Sequence, residues 1–423
     1  MLELSRIRTD KDLIVERLKK RNIEAEATLN EIISLDEQRR TTQLQLDSEL
    51  TEINILNKSI GELFKSGKAA EAGELKEKQN ILKQSSNELK EVYSNTEESI
   101  TKLLYTIPNV PNAIVPLGNS DQDNEIIREH GTIPVLYKDA KPHWDLAKEY
   151  NLIDFELGVK ITGAGFPVYK GKGARLQRAL INFFIDQACD NGYDEIIPPL
   201  LVNEASGVGT GQLPDKEGQM YHCEVDDLYL IPTGEVPITN IYRDVVLKDT
   251  DFPIKNVGYT PCFRREAGSY GKDVRGLNRL HQFDKVEIIQ LSHPDKSYEA
   301  LDSMVEHVEN LLKKLELPYR VAKLCGGDIG FTAALTFDME VYSAAQEKWL
   351  EVSSISNCEA YQANRLKLRF KEGSNKPQLA HTLNGSALAL PRILASLLEN
   401  NQTEKGIKIP KALIPYCGFD IIN

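Results

Sequence analysis

The sequence lacks a hydrophobic run that approaches the ~18 apolar residues of a membrane-spanning helix. Its first twenty residues, MLELSRIRTDKDLIVERLKK, have no apolar signal core and carry acidic residues that a transit peptide avoids. Cysteine is scarce, with six residues scattered singly and no C-x-x-C pair, so neither a zinc ribbon nor a disulfide framework is indicated. We therefore expect a soluble, cytoplasmic chain whose thiols are reduced and mostly structural.

An excess of positive charge is also missing, since 51 Lys and Arg stand against 63 Asp and Glu, for a net charge of −12. A nucleic-acid partner would have to be met by a local basic patch and not by the field of the whole molecule. No G-x-x-x-x-G-K-[ST] loop and no G-x-G-x-x-G within a βαβ unit is present. If phosphates bind to this protein, side-chain cations must hold them.

Proline is absent from residues 25–104, and this stretch has seven-residue spacing of apolar residues, which is typical of a coiled coil. Gly67 lies between two halves of the stretch and is a natural helix terminator. The pattern predicts an antiparallel hairpin of two long helices, with the coiled coil over about 27–104. In the second half one seam contains Leu75, Leu82, Leu89, Thr96 and Leu103, with Val92 and Ile100 near the companion seam. In the first half the stripe contains Leu29, Ile32, Ile33, Leu46, Leu50, Ile53, Ile60 and Phe64.

Such a hairpin is either an oligomerisation coiled coil or an arm that binds a partner, and the spacing does not separate the two. Residues 58–83 carry a slight excess of lysine over glutamate, which mildly favours a phosphate-bearing partner. Pro108, Pro111 and Pro116 then end the helix and form a stiff connector. We expect an arm over 1–107, a linker over 108–120 and a second domain over 121–423.

The second domain has short β-rich runs bounded by Gly and Pro, with amphipathic helices near 172–191 and 297–315. Strands that closely follow strands indicate an antiparallel sheet flanked by helices, so we predict an α+β domain of about 300 residues. Within it, "YTPCFRREAGSYGKDVRGLNRLHQFDKVEIIQL" reads as two strands joined by a charged loop whose Gly268, Gly271 and Gly276 would let it move as a lid. Arg264 and Glu266 lie two apart on the first strand, a spacing that is more often a surface ion pair when taken alone.

Two later segments also carry candidate chemistry. In "WLEVSSISN", strand alternation predicts Glu351 and Ser353 on one face and Ser354 on the other, and a carboxylate with a hydroxyl beside a triphosphate suits Mg²⁺. In "HTLNGSALALPR", Arg392 lies early in a predicted helix, where its guanidinium could bind a phosphate. An ordinary arginine on a helix surface is the alternative for that position.

Taken together, these segments resemble the three signature motifs of class II aminoacyl-tRNA synthetases. "NGYDEIIPPLLV", with Gly192, Tyr193 and Pro199, resembles the first motif, which implies a dimer interface; "FRRE" resembles the second and "NGSALALPR" the third. The strings "GTGQLP", "IPTGEVPITN" and "HTLNGS", behind a helical hairpin, further resemble seryl-tRNA synthetases of the bacterial type. The resemblance spans essentially the whole chain and implies activation of serine with ATP, followed by transfer to tRNA.

The resemblance implies specific roles for side chains at the ATP site. Arg264 and Arg392 would be the catalytic cations, on the α-phosphate and the γ-phosphate. Glu266 would bind the adenine amino group and Phe283 would stack on the adenine. Further ATP-binding positions are Arg265, Glu351, Val352, Ser353 and Ser354, of which Glu351 and Ser354 would hold Mg²⁺.

For serine, the resemblance implies Thr233, Gly234, Glu235, Arg264, Glu287, Asn384 and Ser386. The family commonly has alanine where this chain has Gly234, and glycine where it has Ala387 and Pro391. Pro391 is compatible with the start of a helix. "GTGQLP", residues 209–214, reads as a glycine-rich loop near the serine pocket or as a helix cap.

For tRNA, the resemblance implies that the helical hairpin of one subunit of a homodimer binds the long variable arm of serine tRNA, and possible charging of selenocysteine tRNA stays open. The candidate phosphate contacts are Arg39, Arg40, Lys58, Lys65, Lys68, Lys76 and Lys83. Two other functions remain as alternatives: a paralogue that charges another acceptor, and a coiled-coil interaction protein without activity. The first would lack the long arm, and the second would lack Arg264, Glu266, Glu351 or Arg392; the sequence has all of these features.

Overall fold

A computed structural model describes residues 1–215, 218–266 and 275–423. The chain divides into two compact units. The helical unit contains residues 2–19 and 23–108, and the sheet unit contains Met1, residues 20–22 and residues 109–423. Each unit is described separately below. No helix in the described ranges is both long enough and apolar enough to cross a membrane.

The helical unit is built from two short helices followed by two long ones. These are α1 (Leu4–Thr9), α2 (Lys11–Leu18), α3 (Glu26–Lys65) and α4 (Ala69–Leu104). Gly67, with a φ of +74°, stands in the turn between α3 and α4, as its backbone freedom predicts. Gln79 donates to Asn57, and Ser85 donates to Glu49. From Gln79 to Ser85 the chain advances along α4, while their partners run back along α3 from Asn57 to Glu49. The two helices are therefore antiparallel, and the predicted hairpin is confirmed.

The seam of this hairpin is more polar than the leucine spacing predicts. The buried positions of α4 include a second heptad line that contains small and polar residues, namely Ala72, Gln79 and Ser86. Phe64 and Val92, which were expected in the seam, are 55% and 41% exposed, so those two expectations were wrong. On a helix, a side chain one position away from the buried heptad line is turned toward solvent. The heptad spacing does not indicate which line is buried, and the packing of α3 against α4 decides it.

The N-terminal part of α3 is fixed by a buried ion-pair cluster. The Asp36 carboxylate, 1% exposed, accepts from Arg8 of α1 at 2.5 Å and from Arg39 at 2.8 Å. Arg39 also donates to the Tyr93 hydroxyl of α4 at 3.3 Å. Burial opposes ionisation of Asp36, yet the hydrogen bonds from the two arginines hold its pKa below the usual value. The apolar stripe of α3 has no member between Ile33 and Leu46, and in this gap Asp36 and Arg39 contact residues of α1 and α4.

The sheet unit contains the remaining helices and the strands. Its helices are α5 (His143–Glu149), α6 (Phe155–Ile161), α7 (Gly171–Asp190), α8 (Glu204–Thr210), α9 (Glu235–Asn240), α10 (Ser297–Lys314), α11 (Ala360–Leu366), α12 (Leu390–Asn400) and α13 (Ile414–Cys417). The strands up to the central hairpin are β1 (Glu125–His130), β2 (Ile153–Asp154), β3 (Val168–Tyr169), β4 (Asp194–Glu195), β5 (Leu201–Val202), β6 (His222–Cys223), β7 (Leu228–Leu230), β8 (Val246–Lys248), β9 (Ile254–Phe263) and β10 (Gln282–Ser292). The later strands are β11 (Tyr319–Lys323), β12 (Leu335–Ser343), β13 (Lys348–Asn357), β14 (Arg369–Lys371), β15 (Gln378–Leu379), β16 (His381–Ala389), β17 (Gln402–Thr403), β18 (Gly406–Lys408) and β19 (Ile421–Ile422).

Within the described residues, eight strands form the main sheet in the order β1-β11-β12-β13-β16-β10-β9-β4. Every neighbouring pair is antiparallel except β4 with β9, which is parallel. The amphipathic helices α7 and α10 begin and end within a residue or two of their predicted limits, and their apolar faces join one core with the buried sides of the strands. The predicted α+β class is confirmed. β9, β10, β13 and β16 bring the charged hairpin, "WLEVSSISN" and "HTLNGSALALPR" side by side.

Candidate active site

A cavity of about 560 Å³ opens over the middle of the sheet, where β10, β13 and β16 adjoin the start of α12. Most of the residues that the sequence assigned to ATP and serine line it. They are Thr233, Glu235, Arg264, Glu266, Phe283, Glu287, Glu351, Val352, Ser353, Ser354, Asn384, Ser386 and Arg392. Residues more than 150 positions apart in the chain thus share one space, because adjacent strands of the sheet and the starts of α9 and α12 meet there.

The hairpin of β9 and β10 supplies one wall of the cavity. The Arg264 guanidinium lies 5.3 Å from the centre of the Phe283 ring, and its Nε donates to the Pro232 carbonyl at 3.2 Å. Glu266 accepts from Arg279 at 2.9 Å. Glu266 is not on the strand, since β9 ends at Phe263 and Glu266 has a φ of +49°. Both predicted side chains line the cavity, but a turn after the strand, and not strand alternation, brings Glu266 there.

Arg265 points elsewhere. Its Nε donates to the Met220 carbonyl at 3.0 Å, and its guanidinium lies 4.8 Å from the centre of the Tyr221 ring. It is not among the described residues that line the cavity. Residues 267–274 of the predicted lid, which include Gly268 and Gly271, lie outside the described residues. Gly276 is described and has a φ of +70°.

The floor of the cavity is a cluster of buried ionisable groups on β10 and α9. Lys285 forms an ion pair with Glu287 and donates to the Thr233 hydroxyl at 2.8 Å. Glu235, at the first turn of α9, accepts from Gln362 of α11 at 2.5 Å. Burial, together with the nearby Glu287 carboxylate, raises the pKa of Glu235 to about 6. Among the described residues, the floor therefore holds two carboxylates, Glu235 and Glu287, and one buried cation, Lys285.

Gly234 does not line the cavity itself but lies against its floor. A Cβ at this position would stand 3.0 Å from the Thr260 hydroxyl and 3.3 Å from the Glu287 Cβ. That is tight, so a side chain larger than a methyl group would press on the side chains of Thr260 and Glu287. The position requires a small residue, which fits both the glycine of this chain and the alanine that is common in the family.

A β-bulge changes which side chains of β13 lie on the same face. The register between β12 and β13 shifts between Met339 and Glu340, so strand alternation breaks next to Glu351. Glu351 and Ser354 both line the cavity near Asp338, and Ser353 donates to the Ser386 carbonyl at 2.5 Å. The expectation that Glu351 pairs by face with Ser353 was therefore wrong. The bulge makes Ser354 the companion of Glu351.

Asp338 is a member of this group that the sequence did not indicate. It hydrogen-bonds Ser354, but one of its buried carboxylate oxygens has no hydrogen-bond partner among the described residues. Burial and the neighbouring Glu351 charge raise the pKa of Asp338 well above the usual value. Two close carboxylates with an unpaired buried oxygen are a setting that a cation would stabilise.

Arg392 lies in the first turn of α12, which begins at Leu390 with Pro391 at an early position, as predicted. Its Nη1 donates to the Glu351 carbonyl at 2.7 Å, and its Nε donates to the Asn278 carbonyl at 3.2 Å. The Glu351 carboxylate stands 3.4 Å away. The guanidinium is thus held between the hairpin and β13 while it lines the cavity.

The segment "GTGQLP" serves as both a helix cap and a neighbour of the site. Gly211, with a φ of +85°, ends α8, and Gln212 lines the cavity. Gln362 donates to the Thr210 carbonyl at 3.1 Å as well as to Glu235, so it ties this segment to the floor. Sequence reasoning missed Gln362, Lys285 and Asp338. Lys285 is part of the hairpin sequence quoted above, within "DKVE". No spacing rule shows that Gln362 and Asp338 approach the cavity.

In the helical unit, the predicted phosphate contacts differ in what they already bind. Arg39 is engaged by Asp36, Lys68 pairs with Glu71, and Lys83 donates to Gln79 at 3.3 Å. Arg40, Lys58, Lys65 and Lys76 are exposed to solvent.

Two family models match the chain. Residues 1–111 match the Seryl-tRNA synthetase N-terminal domain, and residues 221–401 match the tRNA synthetase class II core domain (G, H, P, S and T). A serine–tRNA ligase from Salinibacter ruber is 49% identical over 421 residues, covering 99% of this chain and 98% of that protein. A serine–tRNA ligase from Chlorobium luteolum is 44% identical over 428 residues, covering 100% and 99%.

The fold agrees with these matches. The crystal structure of seryl-tRNA synthetase from Pyrococcus horikoshii complexed with ATP superimposes with a TM-score of 0.92 at 34% identity, covering 100% of this chain and 99% of that one. The similarity therefore includes the elements of the helical unit and those of the sheet unit.

Proposed function

The chain belongs to the seryl-tRNA synthetase family, and we propose that its cavity carries out both steps of serine–tRNA ligation. In the first step the serine carboxylate attacks the α-phosphorus of ATP, so that seryl-adenylate forms and pyrophosphate leaves. In the second step a hydroxyl of the terminal tRNA ribose attacks the seryl carbonyl, an ester forms and AMP leaves. The observation that carries this function is the single cavity in which Arg264 and Arg392 adjoin the buried Glu235 and Glu287.

At the ATP site, Arg264 binds the α-phosphate and the serine carboxylate. Because attack by a carboxylate accumulates negative charge at the phosphoryl group, a fixed guanidinium stabilises the transition state more than the ground state. Phe283 stacks on the adenine, and Glu266 accepts from the adenine amino group. No general base is needed, since the serine carboxylate is already an anion.

At the other end of ATP, Arg392 binds the γ-phosphate. Its guanidinium is oriented beforehand by the carbonyls of Asn278 and Glu351, so little conformational freedom is lost when the phosphate binds. Val352 and Ser353 line the same end of the cavity. Arg265 takes no part in this proposal, because its guanidinium is bound to Met220 and Tyr221.

The donor set of β13 and β12 fits Mg²⁺. Glu351 and Ser354 would hold the ion, and the unpaired buried oxygen of Asp338 supports this assignment, because hard divalent cations prefer carboxylate and hydroxyl oxygens. When bound, Mg²⁺ neutralises phosphate charge. The Arg392 guanidinium near Glu351 supplies a second, permanent positive charge at that edge.

For serine, the two floor carboxylates suit different groups. Glu287 is already paired with Lys285, so its remaining acceptor capacity suits the neutral serine hydroxyl, with Asn384 and Ser386 nearby. Glu235 is hydrogen-bonded by a neutral amide, so it suits the serine ammonium, together with Thr233. A pocket of this kind rejects alanine by ~10⁴ or more, since its buried polar groups would be left unpaired. Threonine must be rejected by steric fit.

For tRNA, the helical unit is the binding arm, with boundaries at 1–107 for the arm, 108–120 for the linker and 121–423 for the catalytic domain. Arg40, Lys58, Lys65 and Lys76 are the side chains best suited to contact phosphates, because Arg39, Lys68 and Lys83 are engaged within the helices. The working form is a cytoplasmic homodimer that binds serine tRNA across its subunits.

Amino-acid-dependent exchange of pyrophosphate into ATP, measured with each of the twenty amino acids, tests this function directly. Serine alone is expected to support exchange, and charging of purified serine tRNA is expected in the same preparation. Exchange with another amino acid would overturn the serine assignment. Exchange without charging would favour a paralogue with a different acceptor, and absence of both would favour a protein without activity.

A further inference from the structure

A buried hydrogen-bond network links α5 and α12 to the hairpin segment that holds Arg392. We propose that His143 and Glu399 are positioning residues for ATP binding: they fix the backbone at Leu277 and Asn278, and the Asn278 carbonyl in turn orients the Arg392 guanidinium. This inference rests on the γ-phosphate role of Arg392 given under the proposed function. Neither His143 nor Glu399 lines the cavity.

Glu399 is the centre of the network. Its carboxylate is fully buried on α12, and one oxygen accepts from the backbone N–H of His143 at 2.9 Å and from the His143 ring at 2.6 Å. The same oxygen accepts from Gln346 at 3.0 Å, and the other oxygen accepts from the Ser343 hydroxyl. The buried carboxylate is thus satisfied by four hydrogen bonds from two separate segments of the chain, the start of α5 and residues 343–346.

The His143 ring connects Glu399 to the hairpin. Its Nε2 stands 2.9 Å from the backbone nitrogen of Leu277, and a backbone N–H can only donate, so Nε2 must be the acceptor. The ring hydrogen is therefore on Nδ1, directed at Glu399. A Cβ on Gly276 would come within 2.2 Å of the same Nε2, so the backbone before Leu277 lies directly over the ring. Gly276, with its φ of +70°, permits this approach.

A second branch reaches the next residue of the hairpin. Gln346 accepts from the Asn278 side chain at 3.0 Å while it donates to Glu399. The Asn278 carbonyl then accepts from Arg392 Nε at 3.2 Å. Arg392 and Glu399 are seven residues apart on α12, so they lie on nearly the same face of the helix. One helix therefore contacts the Leu277–Asn278 backbone at two levels, directly through Arg392 and indirectly through Glu399.

The hydrogen bonds of this network are better suited to orienting Arg392 than to stabilising the fold. A buried carboxylate with its partners often adds no more stability than apolar side chains of the same volume would. Hydrogen bonds do, however, fix direction, and Arg392 needs the Asn278 carbonyl at a defined place. The consequence is specific to one end of the substrate: loosening the network should weaken contacts to the terminal phosphates and spare those to the adenine and α-phosphate.

The test compares binding of ATP and AMP to the full-length protein by titration calorimetry, because AMP lacks the terminal phosphates. In His143→Asn the shorter side chain does not reach Leu277, and we expect the Kd for ATP to rise on the order of tenfold while the Kd for AMP is unchanged. Gln346→Met, at a less buried position, is expected to show the same selective loss, and it keeps the test valid if His143→Asn folds poorly. His307→Asn is the matched control, since His307 is a buried histidine of α10 away from the cavity.

Arg392→Ala separates this inference from the proposed function. It should weaken ATP more than AMP, and adding His143→Asn to it should cause no further loss, because the network acts through Arg392. Wild-type affinity for ATP in both network variants, equal weakening of ATP and AMP, or an additive loss in the double variant would overturn the inference. If Arg392→Ala itself weakens ATP and AMP equally, the γ-phosphate assignment is wrong as well.

Discussion

Lys285 and Glu287, two residues apart on β10, form an ion pair whose side chains are only 8% and 3% exposed. The ammonium also donates to Thr233, and Glu235 lies close enough for the Glu287 charge to raise its pKa. A single cation thus stabilises the charge of the whole cavity floor. The two carboxylates can balance one more positive group, which in the proposed function is the serine ammonium.

Replacing Lys285 by Met is expected to lower the free energy of unfolding by about 3–5 kcal/mol, because Glu287 would be left buried without its partner. Urea denaturation of the full-length protein measures the change. Lys296→Met is the matched control: Lys296 pairs with Glu299 at 66% and 72% exposure, and the loss there should be below about 1 kcal/mol. Equal losses in both variants would contradict the structural role of the buried pair.

Serine affinity is expected to depend on pH through Glu235, whose pKa is about 6. Below that pH the carboxylate takes up a proton and loses the charge that binds the serine ammonium. The KM for serine in pyrophosphate exchange should therefore rise as pH falls from 7.5 to 5, approaching about tenfold per pH unit below the pKa. The groups that face Glu235 are Glu287, Lys285, Gln362 and Asn384.

Gln362→Leu provides the control for this assignment. The Gln362 amide donates to Glu235 and lowers its pKa against the effect of burial, so its loss should shift the midpoint of the serine KM profile to higher pH. The KM for ATP should not follow the same curve. A midpoint that stays in place in Gln362→Leu would show that another group titrates.

Arg264→Ala is expected to abolish pyrophosphate exchange, with a loss of at least about a hundredfold in kcat/KM, since it removes the cation at the α-phosphate. Arg265→Ala is a control from the next position in the chain. Its guanidinium binds Met220 and Tyr221, so exchange should change by less than about threefold. Similar losses in the two variants would contradict the division between them, and circular dichroism would check that both are folded.

Replacing residues 30–100 by a short Gly-Ser linker should leave serine-dependent exchange largely intact while charging of serine tRNA collapses. The reason is that the cavity residues all belong to the sheet unit, whereas the arm belongs to the helical unit. Parallel assays of exchange and charging on one preparation measure both. Equal loss of the two activities would contradict the separation of functions between the arm and the catalytic domain.

Much of the site could be predicted because its residues lie in contiguous motifs. Arg264, Phe283 and Glu287 belong to one hairpin, and the hairpin register places them without knowledge of the rest of the chain. The failures came where local periodicity was interrupted. The bulge of β13 moved Ser354 to the side of Glu351, and the backbone after the end of β9, with a positive φ at Glu266, brings Glu266 to the cavity without strand alternation.

By itself, the sequence determined the two-helix arm, the antiparallel sheet and the identity of the motif residues, because heptad spacing, strand runs and motif strings are local patterns along the chain. Only the tertiary structure decided which heptad line of the arm is buried, and which side chains from distant segments complete the site. Gln362 meets Glu235 across 127 residues of chain, and Glu399 meets His143 across 256. Such contacts depend on how elements pack, and no local pattern specifies a partner that far away.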